Sequence, residues 1–238
     1  DPRMTERSLT AIGFDADDTL WQNEHFYRLT EERFAALLAE HGATGDVGRR
    51  LFEAETRNLK LYGFGIKGFT LSMIETAIEV TEGRVDASVI REILDAGREL
   101  LAHPVETLPF AREAIERLSG SYRIILITKG DLFDQERKLA ASGLGELFDA
   151  VEIVSDKTPD TYRRIFVRHA DGPERAAMVG NSLKSDIVPV LEAGGYGIHV
   201  PHPLTWSYEH VAPPLGDPRF HEIADLAALP DLVRSLAG

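Results

Sequence analysis

Three carboxylates crowd the end of a short apolar segment. Asp15, Asp17 and Asp18 directly follow Leu9–Phe14 (LTAIGF). Like charges this close are costly unless a cation neutralises them. Mg²⁺, a hard ion with oxygen ligands, suits a site that also takes phosphate oxygens. An acidic turn that caps the next helix is the alternative, whereas an EF-hand is disfavoured because Leu20 stands where its glycine is required.

Polar residues also follow other apolar segments. The hydroxyl of Thr128 can donate to a phosphate oxygen, and Gly130 lets the backbone approach an anion closely. The ammonium group of Lys157 can neutralise a phosphate, although taken alone it has the features of a surface lysine. Asp186, in the segment that begins at Gly180, offers another carboxylate to a metal ion.

The apolar segments that precede these residues have the length and composition of buried strands. The predicted strands are Leu9–Phe14, Tyr122–Ile127, Ala150–Val154, Ala176–Val179 and Tyr196–Val200. Helical patterns separate them at Phe110–Leu118, Leu132–Ala141, Thr161–His169 and Asp186–Ala193. This alternation predicts an α/β fold with a Rossmann-like parallel sheet, in which ligands bind at the carboxyl ends of the strands. The polar residues all lie at those ends.

One region shows only helical periodicity, from about Trp21 to Pro104. Its predicted helices are Leu29–Glu40, Val47–Leu61, Phe69–Val80 and Ala87–Leu101. Gly42 and Gly63 are expected helix stops. We predict a helical cap at 22–104, inserted into a core formed by 1–21 and 105–238. A single α/β domain with extra helices is the alternative.

The composition excludes several classes of function. The net charge of -13 disfavours binding to nucleic acids or anionic membranes, and no basic block offsets it. No apolar run approaches the roughly 20 residues of a membrane span. The absence of cysteine excludes thiolate catalysis and fits a cytoplasmic protein. We expect no secretory signal, and Asp1–Arg3 before Met4 has the appearance of a cloning remnant.

Taken together, these motifs resemble the haloacid dehalogenase superfamily over nearly the whole chain. Its four motifs are matched in order by Asp15, Asp17 and Thr19, then by Thr128, then by Lys157, and in part by Asn181 and Asp186. Each motif is short, and their joint order makes the resemblance specific. The inserted helical cap stands at the position expected in this family.

The resemblance implies a Mg²⁺-dependent phosphatase that acts on a small phosphate ester, either a nucleotide or a sugar phosphate. Asp15 would attack phosphorus to form an aspartyl-phosphate, and Asp17 would serve as general acid and then general base. Asp15, the main-chain carbonyl of Asp17 and Asp186 would hold the metal. Thr128 and Lys157 would stabilise charge on the transferring group.

The resemblance also implies further residues around the phosphate. Two positions of this chain, Asn181 and Asp18, depart from the usual family pattern. Thr19, Lys129, Gly130 and Asn181 would form this surrounding set. Asn181 stands where the family usually has Asp, so the metal would be held by one charge fewer. At Asp18 many relatives carry glycine, and no substrate is inferred from this difference.

The stretch Leu61–Phe69 is unusual within the predicted cap, because it contains three glycines and three aromatics. We expect a loop that contacts substrate through Tyr62, Phe64 and Lys67. A tight turn whose aromatics pack within the cap is the alternative.

Other functions remain open at this stage. Phosphonate hydrolysis needs a cap lysine, for which Lys60 and Lys67 are candidates, and phosphomutase activity is a further option. A 2-haloacid dehalogenase lacks the second aspartate, so Asp17 argues against that activity. A phospho-receiver or a binding protein is the non-enzymatic alternative. His199 and His202 are spaced across a strand end, which disfavours a zinc site.

Overall fold

The computed structural model describes residues 8–237 and divides the chain into two compact units. The first comprises the chain up to Gln22 together with Val105–Thr128 and Glu136–Gly238. The second comprises Asn23–Pro104 and also Lys129–Gln135, a segment that the sequence analysis places in the core. The expectation for Asp1–Arg3 lies outside the described residues.

The first unit is built on a six-stranded sheet in the order β3-β2-β1-β4-β5-β6. Its strands are β1 (Ala11–Phe14), β2 (Arg123–Lys129), β3 (Ala150–Val154), β4 (Ala176–Gly180), β5 (Tyr196–His199) and β6 (Phe220–Glu222). β1 pairs in parallel with both β2 and β4, and β4, β5 and β6 also pair in parallel. The predicted α/β fold is therefore confirmed.

Alternate residues of the central strands face opposite sides of this sheet, as the two-residue period of a strand requires. Ile12 and Phe14 of β1 join one hydrophobic cluster, whereas Ala11 joins a second. Because both faces are covered, the central strands are apolar throughout. Gly13 is needed in β1, since a Cβ there would lie 2.9 Å from Sδ of Met178.

Helices cover the two faces of the sheet. In the first unit they are α5 (Ala111–Leu118), α7 (Pro159–His169), α8 (Val188–Glu192) and α9 (Leu229–Ala237). The helix α6 (Leu132–Ser142) begins in the segment assigned to the second unit and continues into the first. Residues of α5 and α9 pack into one hydrophobic cluster, and residues of α7 and α8 into the other.

The second unit is helical and has a hydrophobic cluster of its own. Its long helices are α1 (Glu24–Glu40), α2 (Val47–Tyr62), α3 (Ile66–Val80) and α4 (Ala87–Ala102). Asp46 caps α2 by accepting the N–H of Arg49. Gly42 and Gly63 follow α1 and α2 with φ of 81° and 72°, as expected of helix stops.

Several predicted boundaries are wrong. Helix α1 begins at Glu24 rather than Leu29, and β2 extends through Thr128, which was predicted to follow it. The stretch Leu61–Phe69, predicted as a loop with a tight turn as the alternative, is mostly helical, because α2 ends at Tyr62 and α3 begins at Ile66. No helix within residues 8–237 has both the length and the apolar character of a membrane span.

Candidate active site

The carboxyl end of β1 supplies the first acidic residue of the site. Asp15 directly follows this strand, and its N–H donates to the carbonyl oxygen of Val179 in β4. Because β1 lies between β2 and β4, the residues that follow all three strands converge at one edge of the sheet. Asp15 is therefore placed among the polar residues that the other strands deliver.

Lys157 joins two buried carboxylates at this edge. Its Nζ lies 2.6 Å from Oδ1 of Asp15 and 2.8 Å from Oδ1 of Asp186. All three side chains are buried. Lys157 is 142 residues from Asp15 in the sequence, so the fold alone brings them together.

The charges of this cluster do not balance. Burial raises the pKa of Asp15 from 3.8 to about 7, and Asp186 adds to the rise while Lys157 opposes it. Burial also disfavours the charge on Lys157, but the two carboxylates outweigh it and hold the pKa of Lys157 above its usual range. Two carboxylates thus share one ammonium group, and a further cation would favour the ionised form of Asp15.

Asp17 has partners of a different kind. Its Oδ1 accepts a hydrogen bond from the indole Nε1 of Trp21 at 2.9 Å and lies 2.7 Å from Nζ of Lys138. Trp21 is fully buried, so one of these partners is rigidly held. Asp18 has a φ of 63°, which turns the chain sharply after Asp17. Asp17 nevertheless lies close enough to Asp15 for its charge to add to the raised pKa of Asp15.

Asn181 and Thr19 complete the corner beside Asp15. Thr19 Oγ1 donates to Oδ2 of Asp15 at 3.0 Å and accepts the N–H of Asn181 at 3.1 Å. One end of the Asn181 side-chain amide lies 2.9 Å from Oδ2 of Asp15 and 3.2 Å from the main-chain oxygen of Asp17. A nitrogen at that end donates to both oxygens, whereas an oxygen there would face two acceptors.

The same corner fits Mg²⁺. Mg²⁺ prefers hard oxygen ligands, and the Asp15 carboxylate and the main-chain oxygen of Asp17 both lie within hydrogen-bonding distance of the Asn181 amide. Within the described residues, no group of three or more His, Cys, Asp or Glu is arranged to hold a metal by itself. A cation here would therefore use neutral oxygens, such as the main-chain oxygen of Asp17 and the Asn181 amide, beside the carboxylates.

The residues at the end of β2 that were predicted to bind phosphate are divided between the two units. Thr128 is buried in the first unit, and Lys129 and Gly130 belong to the second. Gly130 has a φ of 138°, a conformation that favours glycine. Gln135 Nε2 donates to the carbonyl oxygen of Lys129 at 2.9 Å, which fixes this turn.

The predicted cap residues lie in the second unit. Nζ of Lys129 lies 3.7 Å from the ring centroid of Phe64. The main-chain N–H of Lys67 donates to Oδ2 of Asp131 at 3.0 Å. The side chains of Tyr62 and Lys67 are exposed. Only Gly63–Gly65 separate α2 from α3, so Tyr62 and Lys67 flank a tight turn and Phe64 lies within it.

Some residues of the site carry no signal in the sequence. Lys138 lies on α6 and reaches Asp17 across the fold, and no local motif marks it. Glu209 accepts hydrogen bonds from Ser182 and Ser185, next to Asp186. These contacts join distant segments, so composition and periodicity do not reveal them.

The two histidines weighed as zinc ligands have other partners. His199 Nδ1 lies 2.8 Å from Oε2 of Glu222, and its Nε2 lies 3.1 Å from the carbonyl oxygen of Asn181. His202 Nδ1 lies 2.7 Å from the carbonyl oxygen of Leu204. The ring of His199 thus supports the backbone at Asn181.

Comparisons with known proteins give a consistent result. The sequence profile of the haloacid dehalogenase-like hydrolases matches residues 9–194. A glyceraldehyde 3-phosphate phosphatase from Methanothermobacter thermautotrophicus is 30% identical over 83% of this chain and 88% of its own length.

Solved structures extend the likeness over almost the whole chain. A haloacid dehalogenase-like family hydrolase from Xanthomonas campestris is 44% identical, with a TM-score of 0.87 over 98% of this chain and 94% of that one. A predicted phosphoglycolate phosphatase from Haemophilus somnus is 16% identical, with a TM-score of 0.66 over 96% and 99%. The second likeness concerns the fold alone.

Proposed function

This chain belongs to the haloacid dehalogenase-like hydrolase family, and we propose that it is a Mg²⁺-dependent phosphomonoesterase with an aspartyl-phosphate intermediate. The observation that carries the proposal is the buried cluster in which Lys157 contacts both Asp15 and Asp186. A nucleophilic carboxylate needs positive charge around it to receive a dianionic phosphate, and this cluster provides part of it.

In the first step, a carboxylate oxygen of Asp15 attacks phosphorus and the bond from phosphorus to the ester oxygen breaks. Asp17 gives its proton to that leaving oxygen. In the second step, Asp17 takes a proton from water, whose oxygen attacks the same phosphorus. The bond to Asp15 breaks, which releases inorganic phosphate and restores the carboxylate.

The separate surroundings of the two aspartates support this division of labour. Asp15 faces Lys157, which favours the ionised nucleophile. Asp17 instead contacts Trp21 and Lys138, so its hydrogen-bond partners differ from those of the nucleophile. A general acid and base must be held within hydrogen-bond reach of the proton that it transfers, and these contacts orient its carboxylate.

Asp15, the main-chain oxygen of Asp17 and Asp186 would hold Mg²⁺, with Asn181 beside them. When bound, the ion would neutralise charge on the phosphate oxygens and on Asp15. Lys157 contributes a fixed positive charge, and Thr128 contributes a hydroxyl donor at the end of β2. These residues account for phosphate binding without any basic surface.

For the substrate, we propose a small phosphorylated metabolite, with sugar phosphates ahead of nucleotides. The relative at 30% identity is a phosphatase of glyceraldehyde 3-phosphate, which supports a short phosphorylated carbohydrate. The second unit would contribute to selectivity through Tyr62, Phe64 and Lys67.

The test is phosphate release from a panel of phosphomonoesters, measured with and without Mg²⁺. The Asp15→Asn variant is expected to lose at least about 10³-fold in kcat, because it removes the nucleophile but keeps the shape. Asp160→Asn is the matched control, since Asp160 is exposed and ion-paired with Arg163. Metal-bound protein that releases no phosphate from any ester would overturn the proposal and favour phosphonate cleavage or phosphomutase activity.

A further inference from the structure

A buried carboxylate lies outside the reacting groups of the proposed site. Glu209 is in the short turn Ser207–Glu209, between β5 and β6, and is only 9% exposed. Its Oε2 accepts hydrogen bonds from Oγ of Ser182 and Oγ of Ser185, each at 2.5 Å. Burying a carboxylate is costly unless such bonds compensate it, so this contact is a specific feature of the fold.

Both serines belong to the turn that carries Asp186. Ser182 Oγ accepts the N–H of Ser185 at 3.0 Å and caps the π-helical turn Leu183–Ile187. The N–H of Ser182 donates to Oδ2 of Asp186 at 3.0 Å, and the N–H of Asp186 donates to the carbonyl oxygen of Ser182 at 2.8 Å. A displacement of Ser182 would therefore move the carboxylate of Asp186.

A π-helical turn is rare and is frequently found at functional sites. Here it receives support from two directions. Tyr162 donates its hydroxyl to the carbonyl oxygen of Ser185 at 2.7 Å, from the side of α7. Glu209 holds the hydroxyls of Ser182 and Ser185 from the side of the segment that follows β5.

A second contact fixes the register between these two segments. Nζ of Lys184 lies 3.3 Å from the ring centroid of Tyr208 and donates to its carbonyl oxygen at 3.2 Å. Two adjacent residues, Tyr208 and Glu209, thus contact the same side of the turn that carries Asp186. Because two different types of contact act side by side, the turn can neither slide nor rotate freely against Glu209.

We propose that Glu209 is a positioning residue for Asp186. It acts through Ser182 and Ser185, holds the π-helical turn in place, and so orients the Asp186 carboxylate toward Mg²⁺. This role rests on the proposed function, in which Asp186 is one of the groups that hold the ion. Partners that orient metal ligands in this way typically contribute 10- to 100-fold to metal affinity.

The experiment measures Mg²⁺ binding to the full chain by isothermal titration calorimetry, without substrate. Glu209→Ala is expected to weaken Mg²⁺ binding by about 10- to 100-fold. Glu209→Gln keeps an oxygen that can accept both hydroxyls, so it is expected to lose less affinity than Glu209→Ala. Ser185→Ala removes one donor and should cause an intermediate loss. Its effect should not add fully to that of Glu209→Ala, because both changes break the same contact.

Asp217→Ala is the matched control, because Asp217 is in the same segment and pairs with Arg219 instead. Its Mg²⁺ affinity should equal that of the wild type. Thermal unfolding without metal is measured for every variant, since a merely structural role would lower the midpoint and leave the affinity unchanged.

Three results would overturn the role of Glu209. The first is that Glu209→Ala or Ser185→Ala binds Mg²⁺ as tightly as the wild type. If Glu209→Ala does not fold, the result for Ser185→Ala decides alone. The second is that Glu209→Gln binds Mg²⁺ as weakly as Glu209→Ala, because the charge of Glu209, rather than its orienting hydrogen bonds, would then explain the loss. Wild-type protein that binds no Mg²⁺ would instead overturn the metal in the proposed function, and the role of Glu209 with it.

Discussion

Close contacts around Asp186 leave no room for an added atom. A Cβ at Gly180 would collide with the Asp186 carboxylate and lie 2.7 Å from its Cβ. The glycine that ends β4 is therefore required by its neighbour six residues later. Its own φ is not positive, so space rather than backbone conformation makes it necessary.

Gly180→Ala is expected to displace Asp186 and to weaken both its contact with Lys157 and the binding of Mg²⁺. We expect Mg²⁺ affinity to fall at least about 10-fold, the lower end for a disturbed ligand arrangement. Calorimetry with Mg²⁺ checks this. Gly216→Ala is the control, because a Cβ at Gly216 meets nothing within 4 Å. Unchanged affinity in Gly180→Ala would contradict the tight packing described.

Asn181→Asp tests the departure from the family pattern. The new carboxylate would lie beside Oδ2 of Asp15, so it should strengthen Mg²⁺ binding by attraction and destabilise the metal-free protein by repulsion. Calorimetry and thermal unfolding, each with Mg²⁺ and with a chelator, measure the two effects.

Ser121→Asp is the control for this charge change, because it adds the same charge at an exposed position. It should alter neither quantity appreciably. Weaker Mg²⁺ binding in Asn181→Asp would contradict the placement of the ion beside this side chain.

The residues of the proposed site that the sequence revealed are those marked by short motifs. Asp15, Lys157, Asn181 and Asp186 follow strand ends, and parallel pairing brings such ends together. Lys138 was missed because it lies within an ordinary helix and meets Asp17 only in the folded chain. A motif records spacing along the chain, whereas this contact depends on packing.

At the level of elements, α1 and α2 place acidic side chains near one another. Burial raises the pKa of Glu55 from 4.5 to about 8, and Glu31 and Glu24 add to the rise. Burial also raises the pKa of Glu31. The folded state thus keeps a proton on Glu55 that the unfolded chain releases at lower pH.

The stability that depends on this proton is present below pH 4.5 and is lost as pH rises through about 8. The amide of Glu55→Gln has no such proton to release. The free energy of unfolding of this variant, relative to that of the wild type, should therefore grow across this pH range and then level off. Each 1 kcal/mol would shift the thermal midpoint by about 2–4 °C.

Thermal unfolding at pH 5, 7 and 9 measures the difference between Glu55→Gln and the wild type. Glu53→Gln is the control on the same helix, because Glu53 is exposed and pairs with Arg49. Midpoints of wild type and Glu55→Gln that run parallel over the three pH values would contradict the raised pKa.

Strands were predicted more accurately than the edges of helices. Buried central strands are continuously apolar, and β1 therefore stood out clearly. β6 was missed because it has only three residues, none fully buried. The start of α1 was placed too late, since this first turn includes Glu24, a charged residue whose burial becomes apparent only in the fold.

For the whole molecule, the net charge of -13 opposes the approach of a phosphate dianion. Higher ionic strength shortens the Debye length from about 30 Å at 0.01 M to about 8 Å at 0.15 M. We therefore expect kcat/KM for a dianionic ester of the panel, such as glyceraldehyde 3-phosphate, to rise with salt at saturating Mg²⁺. The rise should be smaller for the zwitterionic phosphoethanolamine. A fall in kcat/KM for both esters would show that Lys157 and the metal dominate the field at the site.

The central place of β1 in the sheet affects the order in which the chain folds during synthesis. Ala11 pairs with Arg123 on one side and Ala176 on the other, so both neighbours leave the ribosome long after β1. At 5–20 residues per second the second neighbour follows on the order of ten seconds later. The helices between β1 and β2 emerge before β2 and β4 and can bury their own hydrophobic cluster. Asp15, the proposed nucleophile, is thus translated early but acquires its buried partners late, when the nascent chain has supplied Asp186.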